Sequence, residues 1–134
     1  MQLDFSPLKK ALLSLDKAIG RAKKEKADEE LRDAVIQRFE YTFELCWKML
    51  KRQLEQEVPT PAEVDHYSYR ELLREAAERG LINDVQKWMV YRECRNLTSH
   101  SYDERKASQV FTEILNFYPD ANSLLLTLEK RNCD

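Results

Sequence analysis

Glycine is almost absent: the 134 residues hold two, and proline supplies only four. Both residues interrupt helices, glycine through backbone entropy and proline through a missing N–H and a ring clash. Their scarcity argues against a turn-rich β-sandwich or barrel, and it leaves nothing from which to build a Gly-rich phosphate loop. Histidine is as rare as glycine, and the three cysteines, Cys46, Cys94 and Cys133, form an odd set with no Cys-x-x-Cys spacing. Neither a disulfide framework nor a zinc site follows, and no metal or cofactor is expected. Cys46 and Cys94 fall within helical patterns and read as small buried hydrophobes. No apolar run is long enough to span a bilayer, and none near the start resembles a signal segment, so the expectation is a cytoplasmic protein without membrane contact. The formal net charge is −2, from 22 basic and 24 acidic residues. A chain without a basic bias can contact RNA only through a local patch, and Arg92 with Arg95 is the available one.

What the chain does have is a mixture of 43% hydrophobic and 34% charged residues, arranged at helical spacing. The reading is one all-α domain over 1–134, an up-and-down bundle of five to six helices around a four-helix core. Ser6 and Pro7 suit an N-cap and first turn; Leu8, Leu12, Leu15 and Ile19 then form one stripe of a helix ending near Lys26. A second helix runs from after Asp28 to about Glu57 with two apolar stripes. Leu31, Val35, Phe39, Thr42 and Met49 make one, and Ile36, Phe43, Trp47, Leu50 and Leu54 the other. Such a helix packs in two directions, one of them expected to include a second subunit. Glu40 and Glu44 interrupt its pattern, along with Arg38 and Tyr41. They form either a solvated face or carboxylates that orient Arg92 or Arg95 from across the bundle.

Val58 to His66 contains Pro59 and Pro61 and reads as a loop. The Ser68/Glu71 capping box opens a third helix, and Gly80 closes it in a left-handed cap. Tyr67, Tyr69 and Arg70 at its start either stack a base or fill the core and pair with a surface charge. A fourth helix starts at the Asn83/Gln86 spacing. A fifth is predicted from about Tyr102 to Tyr118, with Pro119 ending it or bending it into a final helix through Leu128. The residues from Lys130 to Asp134 are expected to fray.

One stretch, Trp88 to Tyr102, carries residue types able to do chemistry. Trp88, Arg92, Arg95 and Ser99 recur at helical spacing on one face. At about 100° per residue, His100 is turned roughly 140° from Arg95 on a straight helix. A second capping-box spacing, Ser101 with Glu104, predicts a break at His100, where a bend turns the imidazole back towards Arg95. An imidazole titrates near neutrality and moves protons; a guanidinium grips phosphate oxygens in a fork and stabilises their growing charge. Together they suit metal-free RNA cleavage by the ribose 2′-hydroxyl. The plain alternative is a surface arginine and a helix-end histidine.

The run Arg95-Asn96-Leu97-Thr98-Ser99-His100 resembles the Arg-x4–6-His motif of the HEPN superfamily. With Tyr102 it resembles the Arg-x4-His-x-Tyr form of HEPN/MNT toxin–antitoxin toxins. The segment from Arg38 to Leu45 with Trp47 and Lys48, and Gly80-Leu81-Ile82 followed by Trp88, resemble the nucleotidyltransferase substrate-binding proteins. The resemblance implies a homodimeric bundle whose partner is a separate minimal nucleotidyltransferase. It implies Arg95 as phosphate binder, His100 as general acid or base, and Tyr102 as an adenylylated hydroxyl that silences a ribonuclease. Arg92, Asn96, Ser99, Glu40 and Glu44 would support binding of RNA or nucleotide. The alternative is a non-catalytic subunit that presents substrate to the nucleotidyltransferase. The chain lacks a paired-Asp metal motif and is not expected to be that enzyme itself.

Overall fold

The computed structural model describes residues 3–133, and among them every regular element is helical. Five α-helices follow in order: α1 (Ser6–Lys24), α2 (Glu29–Glu57), α3 (Tyr69–Glu78), α4 (Val85–Leu97) and α5 (Glu104–Arg131). Short 3-10 segments, Pro61–His66 and Thr98–His100, precede α3 and α5. α2 is the central rod, packed against all four other α-helices. Its 29 residues span about 43 Å at 1.5 Å per residue. Both predicted apolar stripes are used inside the chain: only Leu31 and Trp47 of the ten stay partly open. The centre is aromatic. Phe39 of α2 meets Phe117 of α5 edge-on at 4.9 Å, a favoured geometry for two quadrupoles.

Helix existence follows the sequence pattern, while several boundaries move. Ser6 is the first helical residue rather than its cap; its N–H is taken by the Asp4 carboxylate at 2.9 Å. α4 is capped by Asp84, which accepts from the Lys87 N–H at 3.1 Å, and not by Asn83. α5 is capped by Asp103, which accepts from the Arg105 and Lys106 N–H groups, and not by Ser101. In each case a carboxylate lies close by, and its charge complements the positive helix end better than a neutral side chain. Around Pro59 and Pro61 the expected loop coils into a 3-10 segment that buries Val64.

Two further expectations fail. α5 does not end at Pro119 but runs through it as one helix. Pro119 is exposed, so its ring stands on the solvent side of the helix. Its cost of about 3 kcal/mol is outweighed by the buried side chains on both sides, Ile114, Phe117, Leu124, Leu125 and Leu128, at about 1.5–3 kcal/mol each. Nor do Lys130 to Cys133 fray as a group. Arg131 Nη1 reaches both Glu57 oxygens at 2.8 and 2.9 Å, Nη2 donates to the Arg79 carbonyl, and Asn132 donates to Gln53 at 2.8 Å. Asp134 lies outside the described residues. The α3 ending holds as expected: Gly80 has φ +79, Leu81 N–H bonds the Ala76 carbonyl, and Gly80 N–H bonds that of Ala77. This is the paired closure of a Schellman cap.

Candidate functional site

The site lies where α2, α4 and the turn before α5 meet, and the core sets its position. Trp88 and Tyr91 of α4 pack edge-on against Phe117 at 5.8 and 5.3 Å. The Tyr91 hydroxyl donates to Asp120 of α5. Burial and that carboxylate both push the phenol pKa upward. With α4 pinned in this way, the residue one turn past Tyr91 projects from the edge of the same face. That residue is Arg95.

Arg95 meets two carboxylates from α2. Its Nε donates to Glu44 Oε1 at 2.8 Å, and its Nη2 lies 3.7 Å from Glu40 Oε1. The Thr98 hydroxyl completes the cluster, 3.0 Å from Glu40 Oε2 and 2.8 Å from the Arg95 carbonyl oxygen. Both features of the sequence readings are present: Glu40 and Glu44 contact Arg95 from across the bundle, and both stay solvated, exposed by 44% and 43%. These contacts use part of the five N–H donors of a guanidinium, so donor capacity remains. The pair is half-exposed, with side-chain exposures of 32% for Arg95 and 43% for Glu44; its net value to stability is therefore about 0–1 kcal/mol.

Arg92 does not join that cluster. Its guanidinium carbon lies 4.6 Å over the Tyr69 ring, and Trp47 stacks on the same ring at 4.5 Å with planes 20° apart. Burial raises the Tyr69 phenol pKa, and the Arg92 charge opposes the rise. Glu44, Trp47, Tyr69, Arg92, Arg95 and Asn96 line a cavity of about 340 Å³ over Phe43. Sequence reading missed the partners here. It placed Tyr69 with Arg70, which is exposed, and left Trp47 in the core stripe; nothing local marks a contact between α2, α3 and α4.

His100 ends the 3-10 segment Thr98–His100, so the break after Leu97 is real, although α5 resumes at Glu104 and not at Ser101. His100 Nδ1 lies 3.2 Å from the Tyr102 hydroxyl, and their rings meet edge-on at 5.8 Å. Tyr102 is 82% exposed. Within one chain, then, Arg95 and His100 have separate partners: Glu40, Glu44 and Thr98 for the first, Tyr102 for the second. Ser99 is exposed on the turn between them. The cysteines stand apart from this chemistry. Cys46 and Cys94 are buried, and burial pushes the Cys94 thiol up to about 11. Among the described residues no three His, Cys, Asp or Glu side chains gather into a metal-holding group, and no helix is long and apolar enough to cross a membrane.

Fold and site together define a small helical-bundle protein with a polar edge built from α2, α4 and the turn before α5. Comparison with known proteins makes this specific. The model of the family described as "Nucleotidyltransferase substrate binding protein like" matches residues 3–130, and the chain belongs to that family. A Haemophilus influenzae protein named "Probable ribonuclease HepT" is 44% identical over 97 residues, which are 72% of this chain and 66% of that protein. The aligned part thus spans just under two thirds of that relative's own length. A solved Haemophilus influenzae structure, described as revealing the fold of a substrate binding domain of a nucleotidyltransferase, superposes with a TM-score of 0.89. It is 34% identical, and the match covers 94% of this chain and 99% of that one. A Thermus thermophilus crystal structure matches more loosely, with a TM-score of 0.57 and 30% identity over 90% of this chain and 99% of that one.

Proposed function

We propose that this chain is the partner of a separate minimal nucleotidyltransferase in a HEPN/MNT toxin–antitoxin pair, and that it acts as a metal-independent endoribonuclease. The single observation that carries the reading is the contact between His100 Nδ1 and the exposed Tyr102 hydroxyl, in a chain whose family partners nucleotidyltransferases by name. Arg95 holds a phosphate of the RNA. The ribose 2′-oxygen attacks phosphorus, its proton passes to one imidazole, and the departing 5′-oxygen takes a proton from another. One His100 cannot fill both roles in the same step. A homodimer supplies two, with Arg95 and His100 of both copies lining one cleft.

The same contact supports the switch. The Tyr102 oxygen attacks the α-phosphorus of ATP, pyrophosphate leaves, and His100 lies within reach of the hydroxyl proton. The product is a bulky anion beside His100, in a cleft that must accept RNA phosphate; repulsion and blocked access silence it. A second reading is favoured by Glu40 and Glu44, whose charges oppose a polyanion, and by the described role of the 34%-identical structure. On that reading the chain is a non-catalytic subunit presenting substrate to the nucleotidyltransferase. Incubating RNA with the protein and with His100→Ala separates the two. Cleavage by the first and a loss of at least about a hundredfold in the variant support the nuclease; no cleavage by either supports the subunit. Mass measurement after mixing with the partner and ATP tests the switch, and an unmodified Tyr102 removes it.

A further inference from the structure

We propose that the cavity beside Arg95 is a nucleobase pocket: it receives one unpaired base of a single strand whose neighbouring phosphate lies on Arg95. The inference rests on the reading that nucleic acid occupies the Arg95 edge, and it adds what part of the strand is held and where. Three observations carry it. The first is the layered stack of Trp47 on Tyr69 at 4.5 Å with Arg92 4.6 Å from the Tyr69 ring. An aromatic ring and a guanidinium plane are the two surfaces on which unstacked bases settle, and stacking tolerates any base because each has a π-face. The second is size: about 340 Å³ lies at the small end of ligand pockets, room for one base with its sugar, and a base held in a pair cannot turn into it. The third is the lining. Asn96, exposed at the rim, offers a donor and an acceptor to a base edge, while Arg95 on the same wall offers its remaining donors to phosphate.

The stack is also more elaborate than the fold requires. Trp88, Tyr91, Phe39 and Phe117 already close the core around α4, whereas Trp47, Tyr69 and Arg92 stay partly open or exposed. A tryptophan left partly open beside a guanidinium wall leaves aromatic surface unburied that a core position would cover. Such a surface is an effective way to hold a planar ligand.

Trp47 itself reports the outcome. The chain has two tryptophans, and Trp88 is 4% exposed, so quenching by an added base reads Trp47. A short 2′-O-methyl oligoadenylate, which lacks the attacking hydroxyl and cannot be cleaved, is titrated into the full chain. It should quench the emission and, by the anisotropy of a dye-labelled copy, bind with a Kd about tenfold lower than to Trp47→Leu; Asn96→Ala, at an exposed position, should weaken it several-fold without touching the fold. The same oligonucleotide annealed into a duplex should not quench. If Arg95→Ala weakens binding while Trp47→Leu and Asn96→Ala leave it unchanged, the base pocket is wrong and the nucleic-acid reading survives. Equal quenching by duplex and single strand also overturns the pocket. No binding by the unaltered protein overturns both.

Discussion

Two arginine–glutamate clusters sit in different parts of this bundle, made of the same residue types to opposite effect. In the first, Arg131 and Arg79 converge on Glu57. Arg131 spans both its carboxylate oxygens and the Arg79 carbonyl, while Arg79 bonds the Glu57 carbonyl and Glu75. The Glu57 side chain is 19% exposed, and the buried Gln53 bonds it and Asn132. In the second, Arg95 faces two carboxylates, exposed by 44% and 43%, one of them also bonded by the Thr98 hydroxyl. The first cluster is closed by its acceptors: the two arginines reach the backbone carbonyls of Glu57 and Arg79 and the largely covered Glu57 and Glu75 side chains, tying the ends of α2, α3 and α5 together. The second is open: charges are oriented but still hydrated, and donors remain. A closed cluster fastens helix ends, whereas an open one is available to a ligand.

The sharpest test of that distinction is Arg95→Ala. Loss of a positioned guanidinium should lower RNA cleavage by about 10²–10³-fold, while thermal melting stays within about a degree or two, as for other half-exposed pairs. A large fall in melting temperature would place Arg95 with the structural arginines. Glu57→Ala is the mirror experiment. It removes both carboxylate oxygens from Arg131 and leaves the buried Gln53 amide N–H without its acceptor, at about 1–3 kcal/mol, measured by urea unfolding, and cleavage at 25 °C should not change. Smaller again is Gly80→Ala. A β-carbon at φ +79 would lie 3.3 Å from Arg131 Nη2, adding a contact to the left-handed penalty of about 1–2 kcal/mol. A loss no larger than the left-handed penalty itself would mean that Arg131 relaxes freely and the closed cluster is looser than its bonds suggest.

These contrasts mark what a sequence can disclose. Helices α1 to α5 were legible because 3.6-residue periodicity is local, and Gly80 because one backbone angle demands it. The caps slipped by one or two residues where a neutral side chain and a carboxylate stood side by side, at Asn83/Asp84 and Ser101/Asp103, since spacing does not weigh charge. Pro119 misled for a different reason: its penalty is local, and the burial that overrides it is not. The site divides likewise. Arg95, His100 and Tyr102 announce themselves by motif, but the carboxylates that hold Arg95 lie 51 and 55 positions away, and the Trp47–Tyr69–Arg92 stack joins three helices. Only the packing of α3 and α4 on α2 brings them together.

The smallest effect is also the most discriminating, because it asks what the open carboxylates are for. Glu44→Gln keeps an oxygen that can accept from Arg95 Nε and removes one negative charge. A like charge about 5 Å from a bound phosphate costs on the order of 1 kcal/mol in a hydrated setting, so the uncleavable oligonucleotide should bind Glu44→Gln several-fold more tightly. Glu44→Ala should share that gain and lose the orientation of the guanidinium, so binding rises while the cleavage rate of bound RNA falls. Opposite movement of the two quantities is something a fastening residue cannot produce, because a looser fold lowers both. If Glu44→Ala merely destabilises the bundle and moves binding and cleavage together, the open cluster is a second fastening on a more hydrated surface, and the case for Arg95 as an anion-binding group fails with it.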